Sequence, residues 1–191
     1  MDRYWLLTST TYGTWLPGDP RGFVSEMRDS HRAKILHNIP GTPYDADEAL
    51  LSGYVETKLK GPPITLSAAQ AEALLGQFQE TANHRRWLLL AVAIMANHFR
   101  IVVGVEGDPE PGRILGDFKS YGSRKLDRGW RRPVSATWWT QDGSKRKLET
   151  EANVLAAVRY VEEQEFPLVI WVAEKYLRET KGGLRGDGSS E

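Results

Sequence analysis

The stretch of sequence that decides the fold is WLLLAVAIMANHFRIVVGV, residues 87–105. Its first half, Trp87 to Met95, is almost continuously apolar, which is typical of a buried strand. Ala96-Asn97 is short enough to form a tight turn, and His98 to Val105 resumes the apolar pattern as a second strand. Two such strands joined by a tight turn predict a β-hairpin.

The elements on either side of this hairpin follow from local composition. Trp5 to Tyr12 is rich in β-branched and aromatic residues and predicts a first strand. Ser67 is a good N-cap for a helix over Ala68 to Ala82, whose apolar side chains share one face. Beyond the hairpin, the sequence predicts helices over Arg113–Leu126 and Glu149–Gln164, short strands over Thr137–Thr140 and Pro167–Val172, and a basic loop over Gln141–Lys147.

The order of these elements indicates the fold class. Paired strands with separate helices predict an α+β protein with one antiparallel sheet and helices packed on it. We expect a single domain over residues 1–180, since a chain of 191 residues suits one full core. Residues 23–63 are polar and contain several prolines, and they are predicted to form loops with one or two short helices. The Gly-rich, charged segment 181–191 is predicted to be a disordered tail.

Composition limits the chemistry and the compartment. Lys and Arg number 25 and Asp and Glu also number 25, so the net charge does not indicate a partner. The absence of cysteine excludes disulfides, cysteine-ligated zinc and cysteine nucleophiles, and it fits a reducing compartment. The N-terminal residues lack the pattern of a signal peptide, and the most apolar run is about half the length that a membrane helix needs. We therefore expect a cytoplasmic protein without a membrane partner.

The hairpin carries the first of two patches with functional spacing. His98 and Arg100 are two apart on a strand and therefore point to the same face. A strand with His-apolar-His would present two imidazoles to one cation, but the second position here is arginine. A single histidine after a turn is also commonly a structural hydrogen-bonding group, and that alternative stays open.

The second patch lies on the last strongly predicted helix. Tyr160 and Gln164 are four apart and share a helix face. A tyrosine hydroxyl can attack a phosphodiester and retain the strand as a covalent phosphotyrosine. A side-chain amide oxygen is an acceptable ligand for Mg²⁺ or Mn²⁺. The alternative is that Tyr160 only packs and Gln164 is solvated.

Together and in this order, the two patches resemble the single-tyrosine HUH transposases of bacterial insertion sequences and their REP-associated relatives. The resemblance rests on AIMANHFRIVV (residues 93–103), FKSY (residues 118–121) and RYVEEQ (residues 159–164). TYGTWLP (residues 11–17) is similar to the start of one branch of the family. The resemblance extends over residues 4–172 and is weaker from 23 to 63.

This resemblance implies a function, a fold and a set of site residues. Tyr160 would be the nucleophile that forms a 5′-phosphotyrosine, and His98 and Gln164 would be ligands of the Mg²⁺ or Mn²⁺ ion. The implied fold is a ferredoxin-like, RRM-like antiparallel sheet with helices on it. The implied partners are hairpin-bearing single-stranded DNA and a second copy of the chain, in a bacterial cytoplasm beside the DNA of the nucleoid.

The chain departs from the family pattern at Arg100, where the family has its second histidine. Arginine is permanently charged and has no lone pair, so it cannot coordinate a cation and would repel a metal nearby. Its guanidinium could instead hold the scissile phosphate with two hydrogen bonds. Two interpretations therefore stand: an enzyme that cuts and rejoins DNA, and a catalytically impaired or domesticated descendant that only binds it. A third, a generic RNA-binding α+β module, would require exposed aromatic residues on the sheet.

Basic side chains cluster in two segments that could form a DNA surface. The first is the helix after the hairpin with its following loop, and the second lies just before the tyrosine helix. Trp130, Trp138 and Trp139 are close by in sequence and could stack on bases, although core packing would also explain them. The predicted DNA-binding residues are Lys119, Arg124, Lys125, Arg131, Arg132, Lys145, Arg146 and Lys147.

Overall fold

A computed structural model of the chain describes residues 1–15, 26–28, 34–36 and 57–176. The strands of this part are β1 (Arg3–Thr10), β2 (Glu26–Arg28), β3 (Lys34–Leu36), β4 (Leu88–Ile94), β5 (His98–Val105), β6 (Ser144–Leu148) and β7 (Val169–Val172). Its helices are α1 (Ala68–Arg85), α2 (Pro111–Gly129) and α3 (Glu151–Glu162).

Five of the strands form one antiparallel sheet in the order β6-β1-β5-β4-β7. The predicted hairpin of β4 and β5 is part of this sheet, and the Met95 N–H donates to the His98 carbonyl at 2.8 Å to close its turn. β1 pairs with β5 along its whole length, from Arg3 opposite Val105 to Thr10 opposite His98. The predicted α+β class, with one antiparallel sheet and packed helices, is confirmed.

The central strands are apolar on both faces because helices cover both sides of the sheet. On one side, the Phe99 ring of β5 lies 5.0 Å from that of Phe78 in α1, which in turn lies 5.4 Å from that of Phe118 in α2. On the other side, α3 packs its apolar stripe against the strands. We call this second side the α3 face; its buried strand residues include Leu6, Ala91, Ala93, Val102 and Leu148.

Capping residues set where the helices begin. The Ser67 side chain accepts a hydrogen bond from the Gln70 N–H, and the Gln70 side chain accepts one from the Ser67 N–H, so a capping box starts α1 at the predicted position. Thr150 accepts from the Asn153 N–H at 3.1 Å and starts α3 two residues later than predicted.

Two predictions for the segment before α3 are wrong. Thr137–Thr140 is not a strand; it contributes an isolated bridge between Thr11 and Trp139. Gln141–Lys147, predicted as a basic loop, contains most of β6, which pairs with β1 at the edge of the sheet. An edge strand takes hydrogen bonds from one neighbour and tolerates lysine and arginine, so its composition did not indicate a strand.

The predicted loop-rich insert over 23–63 contains β2 and β3, which pair with each other as a small antiparallel sheet. Apart from these strands and residues 57–63, the insert lies outside the described residues, as does the predicted tail over 181–191. No helix within the described ranges is long and apolar enough to cross a membrane.

Candidate nucleic-acid interface

The first patch lies where β5 begins. His98 and Arg100 are opposite Thr10 and Thr8 of β1. The His98 Nδ1 atom is 2.7 Å from the Asn97 Oδ1 atom, and this hydrogen bond orients the imidazole. Because alternate residues of a strand share a face, His98 and Arg100 lie on the α3 face, on the same side as the buried Val102.

The second patch is placed beside β5 by the packing of α3. The side of the helix that faces the sheet is apolar and buried, with Val154, Ala157, Val158 and Val161. Tyr160 directly precedes the last of these residues and keeps 46% of its surface exposed. The helix therefore anchors Tyr160 against the sheet while leaving it accessible to a ligand.

Arg100 and Tyr160 contact each other although they are far apart in sequence. The guanidinium carbon of Arg100 lies over the Tyr160 ring, 4.5 Å from its centroid. Such a cation–π contact contributes about 0.5–1 kcal/mol where solvent has access. The structure thus brings together the two patches that carry the family resemblance. The roles of Tyr160 as nucleophile and of Arg100 at the phosphate or metal position stay predictions.

The charge of Arg100 is not balanced by the part of the protein that the structure describes. Its Nε atom is buried and has no hydrogen-bond acceptor there. The ion pairs of the same part all involve other residues. Burial lowers the pKa of the Arg100 guanidinium, because the charged form loses hydration. A half-buried cation without a counter-ion is costly, so a bound anion would be favoured at this position.

The predicted metal ligands do not form a convincing cation site. The Gln164 amide nitrogen donates to the Tyr160 carbonyl oxygen at 2.6 Å, which satisfies a carbonyl at the end of α3. Within the described ranges, no group of three His, Cys, Asp or Glu side chains could hold a metal. One imidazole and one amide are too few ligands for a divalent cation, and the permanent charge of Arg100 two residues after His98 would repel the ion.

β6 extends the α3 face to the edge of the sheet. Ser144 is opposite Thr8, and Arg146 is opposite Leu6, so both lie on the same side as Arg100. Arg146 is exposed. Of the predicted DNA-binding residues, it is therefore the one that shares a sheet face with the first patch.

The other two cations of β6 point away from this face. Lys145 and Lys147 alternate with Arg146 along the strand and therefore lie on the α2 side. Lys145 forms an ion pair with Asp142. The hydrogen bond from Lys145 lowers the pKa of the Asp142 carboxyl.

Lys119 is bound by the loop before β6. Its ammonium donates to the carbonyl oxygens of Thr140, Gln141 and Asp142 at 2.6, 3.1 and 3.3 Å. Burial lowers the pKa of Lys119, while the nearby Asp142 acts in the opposite direction. Lys119 forms part of the wall of an open cleft of about 710 Å³ between α2 and this loop. The Lys119 ammonium thus makes its hydrogen bonds within the protein. Its predicted contact with DNA stays a prediction.

The remaining predicted cations lie in the last two turns of α2 or after it. All are exposed: Arg124, Lys125, Arg131 and Arg132. The Arg124 guanidinium lies 4.8 Å from the centroid of the Tyr121 ring, and Arg132 is 3.8 Å from an oxygen of Asp127. Because α2 covers the opposite side of the sheet, the structure does not join these residues with Tyr160 into one surface.

The suggestion that Trp138 and Trp139 stack on bases is wrong, because they are only 5% and 3% exposed. The Trp138 indole donates to Asp127 at 2.8 Å, and the Trp139 indole donates to Ser123 at 2.9 Å. Both belong to the core between the sheet and α2. The RNA-binding interpretation is also not supported, since no aromatic residue on the described strands is exposed.

Two residues of interest were missed in the sequence. Thr8 lies between Arg100 and Ser144 on the α3 face, and only the strand register identifies it. Phe166 follows α3 with a φ of 52°, which is unfavourable for an aromatic residue, and is 91% exposed. The sequence carried no signal for this conformation, because a following proline favours an extended backbone with negative φ.

Comparisons with known proteins show a likeness among solved structures. No protein-family model matches the chain, and no curated protein matches it. Among solved structures, the chain is similar to a REP-associated tyrosine transposase bound to a REP hairpin, with 11% identity and a TM-score of 0.46. The alignment covers 100% of this chain and 87% of that one.

Proposed function

We propose that this chain is a transposase-like protein that binds hairpin-bearing single-stranded DNA on the α3 face and presents Tyr160 to a phosphodiester. The observation that carries this proposal is the contact between Arg100 and Tyr160. The motif resemblance requires the hairpin patch and the helix patch to form one site, and neither patch alone forces them together. Their contact places a cation that has no paired carboxylate in the described part of the chain beside an accessible phenol, and this supports a site for an anionic substrate.

In the enzymatic form of the proposal, Tyr160 is the nucleophile. Its phenolic oxygen bonds to phosphorus, and the bond from phosphorus to the 3′ oxygen breaks. The fragment on the 3′ side of the break stays attached to Tyr160 through its 5′ phosphate, and the other fragment leaves with a 3′ hydroxyl. The phenolic proton passes to solvent, and the departing 3′ oxygen takes a proton from water. Attack by a 3′ hydroxyl on the phosphotyrosine reverses these steps and rejoins a strand. Arg100 would stabilise the charge on the non-bridging phosphate oxygens.

A second candidate function is hairpin binding without cleavage. Arg100 favours it, because this residue replaces a metal ligand of the family that the protein resembles. The two candidates share the DNA-binding face and differ only in the covalent step. The homodimer implied by the resemblance stays a prediction, which light scattering of the purified protein checks.

The test is to incubate the protein with end-labelled hairpin DNA, with Mg²⁺, with Mn²⁺ and with EDTA, and to look for a covalent adduct on a denaturing gel. An adduct that is lost in Tyr160→Phe supports the enzyme. Tyr121→Phe, which removes a hydroxyl on the α2 side, serves as the matched control and should keep the adduct. Binding without an adduct supports the second candidate. Absence of hairpin binding at low salt would contradict both.

A further inference from the structure

We infer that Arg100 takes the place of a divalent metal and holds a backbone phosphate of single-stranded DNA beside Tyr160, so that this site binds DNA without Mg²⁺ or Mn²⁺. The inference rests on the proposed function, because it concerns the same face and the same nucleic acid. It extends the role of Arg100 to DNA binding in the absence of a metal, and it contradicts the metal requirement that the resemblance implies.

The electrostatics of the site support a bound anion. The Arg100 guanidinium is half-buried, and within the described ranges its buried Nε atom has no acceptor and no carboxylate is paired with it. A structural arginine would be expected to have such a partner, since an uncompensated buried charge is unfavourable. A phosphate can be bound by the outer guanidinium nitrogens of Arg100, which donate two parallel hydrogen bonds to such a group. A divalent cation would instead meet an unbalanced positive charge.

The contact with Tyr160 restricts where that phosphate can lie. One face of the Tyr160 ring rests against the guanidinium, so the planar fork of Arg100 is held beside the phenol. A phosphate gripped by the fork would therefore be close to the Tyr160 hydroxyl. Arg100 would act as a binding and positioning group for the phosphorus, with no change in its own protonation.

The strand register gives the direction in which the DNA backbone continues. Thr8, Ser144 and Arg146 occupy the α3 face next to Arg100, on β1 and β6. Neighbouring strands are about 4.8 Å apart, so Arg146 is displaced from Arg100 by about 10 Å across the sheet. That separation suits contacts with different phosphates of one strand. The hydroxyl groups of Thr8 and Ser144 can donate to the backbone between them.

The experiment is a titration of a labelled hairpin DNA by fluorescence anisotropy, in EDTA and in Mn²⁺, over a range of salt concentrations. The wild-type affinity should change less than about twofold between EDTA and Mn²⁺. Arg100→Gln should weaken binding in EDTA by about tenfold or more and reduce the salt slope by about one. Arg100→His, which restores the histidine pair of the family, should bind weakly in EDTA and regain affinity in Mn²⁺.

Arg86→Gln is the matched control, because Arg86 is an exposed arginine at the end of α1, away from the α3 face. It should leave affinity within about twofold. Thermal melts check folding: Arg100→Gln should melt close to the wild-type temperature, since the loss of the contact with the Tyr160 ring is offset by the removal of a charge without a counter-ion.

The failures of the inference and of the proposed function are distinguishable. Hairpin binding that requires Mn²⁺ in the wild type would overturn the inference and leave the proposed function standing. The same holds if Arg100→Gln binds like Arg86→Gln, or if it melts well below the wild type, which would make Arg100 a structural residue. A wild type that binds no hairpin in any buffer would overturn the proposed function itself.

Discussion

Replacing Lys119 by methionine should reduce the stability of the fold and leave DNA binding nearly unchanged. Methionine keeps the apolar stem and removes the ammonium, which donates to three carbonyl oxygens of the loop before β6 at 2.6, 3.1 and 3.3 Å. Hydrogen bonds to a charged group contribute about 1.5–3 kcal/mol in total at such a site. Two of the carbonyls belong to the exposed residues Gln141 and Asp142 and can be rehydrated.

We therefore expect Lys119→Met to lose about 2 kcal/mol of unfolding free energy and about 4–8 °C of melting temperature. Urea denaturation and calorimetry measure both. Lys125→Met is the matched control, because Lys125 lies on the same helix, is exposed and forms no hydrogen bond or ion pair among the described residues. Its stability should stay within about 0.5 kcal/mol of the wild type.

Hairpin affinity, measured well below the melting temperature, distinguishes the two possible roles of Lys119. The sequence predicted a DNA contact, whereas the structure shows the ammonium held by the loop. Unchanged stability together with a large loss of affinity in Lys119→Met would refute the structural assignment. A loss of stability with affinity within about twofold of the wild type would support it.

Further predictions concern backbone positions. Gly143→Ala should destabilise the protein by about 1–3 kcal/mol in urea denaturation, because its Cβ would collide with the Thr8 carbonyl oxygen and force β6 away from β1. Gly116 lies in the middle of α2 with open space around it, so Gly116→Ala should instead stabilise the protein by about 1 kcal/mol. Equal effects of the two changes would contradict the described packing of β6. Phe166→Gly should raise stability by about 0.5–1 kcal/mol, because glycine accepts the φ of 52° at this exposed position; a clear loss would show that Phe166 is packed.

Sequence patterns predicted the fold best where side chains next to each other in the chain fix the structure. The predicted bounds of β5, His98 to Val105, coincide with those observed, and the capping residue Ser67 located the start of α1. β6 was missed because its pairing comes from β1, more than a hundred residues earlier, and its Lys-Arg-Lys core shows no apolar alternation. Hydrogen bonds across a sheet leave little trace in the composition of an edge strand.

The candidate site shows the same division between what local sequence predicts and what long-range packing determines. The sequence by itself determined the α+β class, the hairpin and the two patches at Arg100 and Tyr160, because these follow from local periodicity and residue chemistry. Only the tertiary structure decided that the Arg100 guanidinium rests on the Tyr160 ring, with no paired carboxylate among the described residues. It likewise decided that Lys119 is held by a loop and that Trp139 is in the core. These properties depend on which distant segments pack together, and that packing determines the burial and the partners of each charge.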